Sequence, residues 1–279
     1  MDTSPLTHCR SLRRGLSVLK LFSREAPELS GGDIVRAIGL HKTTTYRMLG
    51  VLSECGFLSY DSRTALYSIG PVVHSLGELV FESDALLLAA VPVVKLLNDL
   101  TKEGCSLGVL EGTNVIYRYR AEAGHSLRWT LPVGSAMPAH TSALGKAILS
   151  GLSNTALDRL FPSEDLPALT PNTITSKTSL KLNLKIVRNS GVSRDAEEAV
   201  LMLQGFGSPI RDQLGSIIAG ISLSVPAFRL KRPDYELYSQ LIQLGGRLVS
   251  SNLGFTPKTD AAVTETSIHR WWLERRKAG

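Results

Sequence analysis

Four clusters of residues have the types and spacing to do specific chemistry. The first is His41-Lys42-Thr43-Thr44-Thr45-Tyr46-Arg47, which places an imidazole, three hydroxyls and two cations within seven positions. On the opening turns of a helix such side chains reach base edges or phosphates, beside backbone N–H groups that favour an anion. Arg13-Arg14 upstream and Arg63 downstream add cations suited to a phosphate backbone. The second cluster, His140-Thr141-Ser142-Ala143-Leu144-Gly145, reads as a helix opening whose unpaired amides suit a carboxylate. The third is Ser222 and Ser224, which alternate with Ile221, Leu223 and Val225, so that a period of two sets both hydroxyls on one strand face. An unpaired buried hydroxyl costs roughly 1–3 kcal/mol, so such a pair calls for a ligand, water or backbone. The fourth is Asp195, ahead of Glu197 and Glu198, placed to accept from a ligand hydroxyl. Each cluster also has a plainer reading: a solvated helix face, a capped helix start, water-bridged serines and an Asp cap.

Other chemistries lack their residues. The chain has no Walker loop, nucleophile elbow, zinc spacing or dinucleotide fingerprint, and Gly205-Phe206-Gly207 lacks the third glycine of a phosphate loop. His140 near Ser142 does not make a triad. Cys9, Cys55 and Cys105 are too few and too scattered for a disulfide framework or a metal cluster, so neither metal nor cofactor is expected. The longest apolar run, Ala85 to Val94, contains Pro92 and is too short to span a bilayer; with no apolar leader, a cytoplasmic protein with no membrane partner is expected. The net charge of +6 permits a nucleic-acid partner without requiring one. Glu25, Glu28, Asp33 and Glu54 offset much of the N-terminal charge, while Arg270, Arg275, Arg276 and Lys277 carry a good part of the surplus.

The elements that must position these residues follow from periodicity. Ile34, Val35 and Ile38 before Gly39, and Tyr46, Leu49 and Leu52 after it, lie at helical spacing. Ser30 suits an N-cap and Gly39 a left-handed C-terminal residue. Phe57–Tyr60 and Ala65–Ile69 read as strands joined through Asp61-Ser62-Arg63-Thr64, which predicts a helix-turn-helix with a hairpin wing. Leu12, Leu16, Leu19 and Phe22 form a stripe expected to pack beneath it as a first helix. Val73, Leu76, Leu79 and Val80 mark a linker helix, and residues 84–100 a second one that Pro92 kinks or restarts. From Ser106 the period changes to two. Residues 106–110 and 115–119 make a hairpin around Glu111-Gly112-Thr113-Asn114, and Leu127–Leu131 a third strand. Helices are expected near 154–160, 179–188 and 235–253, and strands at 192–194, 206–210 and 217–225. This mixture predicts an α+β domain with a largely antiparallel sheet. Beyond Asn252 the chain reads as a polar tail apart from Trp271-Trp272.

Several of these stretches together resemble the IclR family of bacterial transcriptional regulators. They are Ser11-Leu12-Arg13-Arg14-Gly15-Leu16, Gly39-Leu40-His41-Lys42-Thr43-Thr44, Tyr46-Arg47-Met48-Leu49 and Tyr67-Ser68-Ile69-Gly70. Downstream, Pro138 through Ala147, Gly191 through Glu198, and Ile221-Ser222-Leu223-Ser224 before Pro226 follow in the same order. The resemblance implies a winged helix-turn-helix over residues 1–70, a linker helix over 71–84 and a GAF-like effector domain over 85–256, followed by the tail, 257–279. It implies a regulator rather than an enzyme, with operator DNA, a small carboxylate effector and further copies of the chain, as dimer or tetramer, for partners. Carried over by position, it assigns the effector pocket to Ala143, Leu144, Asp195, Leu203, Gly205, Ser222 and Ser224, with Trp129 on the third strand. Relatives often carry Gly or Cys near Leu203, so ligand identity does not carry over. The competing expectation is a small-molecule enzyme with an accessory helical domain.

Overall fold

Ser30 ends one element and starts the next. Its hydroxyl accepts from the Asp33 amide while the Asp33 carboxylate accepts from the Ser30 amide, a reciprocal cap that fixes the start of α2 (Gly31–Ile38). Gly39 closes α2 at φ 67°, a left-handed conformation, and the turn leads into α3 (Lys42–Glu54). The computed structural model describes residues 9–23, 26–125, 131–256 and 263–277, and divides into two compact units at Asp84/Ala85.

In the first unit the wing is three-stranded. Strands β2 (Leu58–Asp61) and β3 (Leu66–Ile69) form the expected hairpin, and β1 (Glu28–Ser30) pairs with the other edge of β3. The core is Val18, Ile34, Leu49, Leu58 and Tyr67. Helix α1 (Arg10–Leu19) departs from expectation. It buries Val18 near its C-terminal end, while Leu12 is 62% and Leu16 50% exposed. These leucines line a groove of about 380 Å³ with Arg14, Arg47, Met48 and Val51. The unit ends in α4 (Pro71–Ser83), where Leu76 and Leu79 are also exposed.

The second unit is a six-stranded antiparallel sheet in the order β6-β5-β4-β9-β8-β7. Its strands are β4 (Gly104–Glu111), β5 (Asn114–Ala121), β6 (Ala136–Pro138), β7 (Ser193–Ala196), β8 (Leu203–Arg211) and β9 (Ile217–Pro226). Alternation gives the sheet two unlike faces. Cys105, Leu107, Phe206, Ile221, Leu223 and Val225 pack against α5 (Ala85–Thr101), which runs on through Pro92, and against α9 (Arg232–Asn252). The opposite face carries glycine and small polar residues, and the buried helix α6 (Ala143–Leu149) lies on it. A Cβ at Gly207 would sit 2.5 Å from the Ala143 carbonyl oxygen, and one at Gly108 2.8 Å from Leu144. Glycine is what lets the helix come this close. Helices α7 (Asn154–Leu160) and α8 (Lys177–Ser190) close a second apolar cluster around Leu149, Phe161 and Leu184.

The strand placed at Leu127–Leu131 lies almost wholly outside the described residues, and among those described the last strand at that end of the sheet is β6. One expectation changes. The stretch expected as a polar tail holds α10 (Glu265–Lys277), which docks Ile268 and Trp272 into the core beside α5 and α9. Trp272 stacks 6.0 Å from Tyr238. Only two residues of α10 are fully buried, so its sequence looks polar while its inner face is not.

Candidate functional site

The α3 residues divide by face. His41, Lys42, Thr43 and Arg47 are exposed and Thr44 is half-buried. Thr45 is fully buried with its hydroxyl donating to the His41 carbonyl, so it belongs to the core rather than to a nucleic-acid contact. Its position, four residues before Leu49, places it on the helix's inner stripe. Tyr46, read from spacing as a packing residue, is 41% exposed between Lys42 and Arg47, with the Lys42 Nζ 5.8 Å from its ring. Its hydroxyl rests where a Gly31 Cβ would be, which explains that glycine. The α3 N-terminus has no side-chain cap, leaving its first amides for an anion. Arg14 lines the α1–α3 groove, Arg13 is exposed on α1, and Arg63 is exposed at the wing turn, its amide held by Asp61.

In the second unit, Ala143, Leu144, Asp195, Leu203, Gly205, Ser222 and Ser224 line one cavity. Trp129 lies outside the described residues. Strand register explains the convergence: Asp195 pairs with Gly205 and Gly205 with Ser224, while Gly207 pairs with Ser222 in the next row on the same face, so three strands present these residues beneath α6. Ser222 is buried, and among the described residues neither serine hydroxyl has a hydrogen-bond partner. The α6 opening is less available than expected, because Ser142 Oγ accepts from the Gly145 amide at 3.0 Å. Gly145 is there because Ala139 crosses it, with the carbonyl oxygen 2.2 Å from where a Cβ would lie.

Asp195 is the site's titratable centre. One oxygen, Oδ1, accepts from the Glu198 amide at 2.6 Å and from the Ala199 amide at 3.4 Å. Burial pushes its pKa up to about 7, only partly offset by the Glu198 amide and the Lys146 charge. Behind it, the buried Lys146 Nζ donates to Glu198 Oε1 at 2.5 Å, tying α6 to the segment after β7. Glu198 Oε2 is buried without a partner. Burial pushes Tyr117, on the cavity wall, up to about 12, so it stays a neutral phenol. His140 is pinned by Nε2 to the Pro167 carbonyl at 2.9 Å and held below the usual imidazole range by burial, which makes it structural here. The cavity is small, about 20 Å³, so an organic ligand has to part its walls.

Spacing missed Tyr117 and Met137 on the cavity wall, and the buried Arg120 farther along the same face. A bulge opposite Leu107/Gly108 pairs Gly108 with Tyr117 but Ser106 with Arg120. Tyr117 and Arg120, three residues apart, therefore share the α6 face, which simple alternation forbids. Tyr117-Arg118-Tyr119-Arg120 alternates strictly in sequence, so nothing local signalled the shift.

A winged helix-turn-helix joined to a sheet domain with a small enclosed cavity defines the class of ligand-responsive transcriptional regulators. The chain matches the IclR helix-turn-helix domain over residues 11–62 and the bacterial transcriptional regulator IclR C-terminal domain over residues 79–250. It belongs to the IclR family. It is 30% identical over 248 residues to the HTH-type transcriptional repressor AllR of Salmonella typhimurium strain LT2, covering 89% of this chain and 91% of that one. The fold matches the IclR crystal structure from Thermotoga maritima with a TM-score of 0.76 at 24% identity, over 89% of this chain and 100% of that one. An IclR homologue from Microbacterium hydrocarbonoxydans, crystallised with 4-hydroxybenzoate, matches with a TM-score of 0.65 at 22% identity, over 87% of this chain and 98% of that one. Among the described residues no helix is long and apolar enough to cross a membrane.

Proposed function

We propose that this IclR-family regulator binds operator DNA through α3 and the wing, and that a small carboxylic acid held between Asp195 and Ser222/Ser224 controls that binding. The observation carrying the effector reading is the gathering of seven residues from four distant segments onto one cavity, with two unpartnered hydroxyls and a carboxyl facing it. A carboxylate satisfies the hydroxyls as a charged acceptor, and Asp195 faces a hydroxyl at the ligand's other end. The co-crystallised 4-hydroxybenzoate of the Microbacterium homologue has this pattern of groups. On α3, exposed Lys42 and Thr43 suit phosphates, and Thr44 and Arg47 suit base edges in the major groove. A second copy of the chain is the natural partner, because one helix-turn-helix makes few base contacts and a dimer reads two half-sites.

Calorimetric titration with small carboxylic acids, each beside its amide, tests the effector reading. Ser222→Ala and Ser224→Ala are each expected to weaken acid binding by about 0.5–1.5 kcal/mol, or up to ~3 if the bond is to a charged oxygen. DNA affinity without effector is expected to stay unchanged. An amide that binds as well as its acid, or a double serine variant that binds normally, rejects the carboxylate.

A further inference from the structure

The cavity's polar floor continues past Ser222 and Ser224 to a buried arginine. Arg120 on β5 is 3% exposed and faces Ser106, which in turn pairs with Ser222. Its guanidinium is oriented by named contacts. Glu122 accepts from Nε at 3.1 Å, Nη1 donates to Ser106 Oγ at 3.1 Å, and Nη2 lies over Gly104, 2.9 Å from where a Cβ would sit. Glu122 thus holds the inner edge of the guanidinium while its terminal nitrogens point across β4. Gly104 pairs with Ser224. A second small void, about 10 Å³, lies on this side, lined by Arg120, Gly104, Leu203 and Ser224 among others. Leu203 and Ser224 line both voids and so separate them. Leu203 follows Met202, whose φ of 65° is a left-handed conformation rare for a side chain of that size.

We propose that Arg120 is the charge anchor that makes this pocket select acids, and that a bound effector displaces Leu203 so that its carboxylate lies between Ser224 and the Arg120 guanidinium. This rests on the effector reading above and adds a residue and an orientation to it. Two other carboxylates are close and bear on it. Glu103 is held by Arg229 through two bonds, Nε–Oε1 at 2.8 Å and Nη2–Oε2 at 2.6 Å, and Glu122 is held by Arg120 itself. Glu103 is balanced by Arg229 and Glu122 by Arg120, so the group is net neutral, and an incoming carboxylate would be held by the directed N–H donors of the Arg120 fork rather than by surplus charge. The planar fork of arginine suits a carboxylate better than the neutral hydroxyls do alone. With the acid group at the Arg120 end, Asp195 lies at the opposite end of the row β7-β8-β9-β4, where a hydroxyl would meet it.

The test compares two acid and amide pairs, 4-hydroxybenzoate with 4-hydroxybenzamide and pyruvate with pyruvamide, on the full chain and on Arg120→Met and Arg120→Lys. The native chain is expected to bind at least one acid more tightly than its amide. Arg120→Met is expected to weaken that acid about tenfold or more while leaving the amide nearly unchanged. Arg120→Lys, which keeps the charge, is expected to retain part of the preference. The acid-to-amide ratio is the readout, because damage to folding lowers both ligands together. If Arg120→Met does not fold, Arg120→Lys and Ser106→Ala decide, and an unchanged ratio in both overturns the proposal. If neither acid binds the native chain, the carboxylate reading and this inference fall together. If an acid binds, requires Ser222 and Ser224, and keeps its preference in Arg120→Met, only the assignment of Arg120 fails.

Discussion

At the scale of single residues, the exposed face of α3 and the carboxyl of Asp195 make separable predictions. Lys42→Ala and Arg14→Ala are expected to weaken binding to every duplex and to flatten its salt dependence, as loss of a phosphate contact does. Thr44→Ala and Arg47→Ala are expected instead to relax sequence preference, base contacts being worth roughly 1–3 kcal/mol each. Fluorescence anisotropy against salt, with specific and scrambled duplexes, separates the two pairs. Unchanged affinity in all four folded variants removes the contact surface. Asp195 predicts a pH dependence of stability. Its folded pKa of about 7 lies above the ordinary 3.8, so the native state holds this proton more tightly than the unfolded chain. Its contribution to stability is fully present below about pH 4 and is lost as pH rises through 7. Asp195→Asn keeps an acceptor for the Glu198 and Ala199 amides and carries no charge. Its advantage over the native chain is therefore expected to grow between pH 4 and 7, towards roughly 2–4 kcal/mol at most. Melting curves that stay parallel across that range would show that Asp195 is solvated.

At the scale of elements, α6 is held by what lies under it. Lys146 is wholly buried and its ammonium meets Glu198, so the pair joins the cavity's roof to its side wall. Breaking a buried pair leaves one charge uncompensated, at about 3–5 kcal/mol, whereas replacing both with apolar residues is often neutral or stabilising. Lys146→Met alone is expected to lower the denaturation midpoint sharply, and the double variant Lys146→Met/Glu198→Leu to recover most of the loss. Failure of the double variant to recover would mean that the pair does more than neutralise itself. The glycines beneath α6 are equally specific: Gly207 has no room for a Cβ against the Ala143 carbonyl. Helix α10 shows the opposite case, a polar sequence secured by Ile268 and Trp272.

At the scale of the whole molecule, the chain divides at Asp84/Ala85, and every residue of the proposed pocket lies in the second unit. A fragment starting at Ala85 is expected to fold, to bind the effector with the full chain's affinity and to have no affinity for duplex DNA. Loss of effector binding in a folded fragment would show that the first unit contributes to the pocket. The exposed leucines of α1 and α4 belong to the first unit and are apolar surface that a monomer rarely leaves uncovered. Sedimentation of the full chain should therefore give at least a dimer.

The sequence by itself determined what depends on neighbours along the chain. Ser30 and Asp33 cap a helix, Gly39 takes the left-handed turn, and Asn154–Leu160 is helical because each rests on contacts within a few residues. The alternation of Ser222 and Ser224 with Leu223 was legible for the same reason, since a strand's period is local. It was the family resemblance, not any local pattern, that placed Ala143, Asp195, Gly205 and Ser222 together, and they line one cavity. The tertiary structure decided the rest. A single bulge set Arg120 beside Ser106, a neighbour 14 residues away whose pairing no local period encodes. Thr45 lies on the inner face of α3 because of which stripe the core selects, and Leu12 lies outside because only one end of α1 reaches that core. Ile268 and Trp272 joined the main core because α5 and α9 left a groove that a largely polar helix could fill with two side chains.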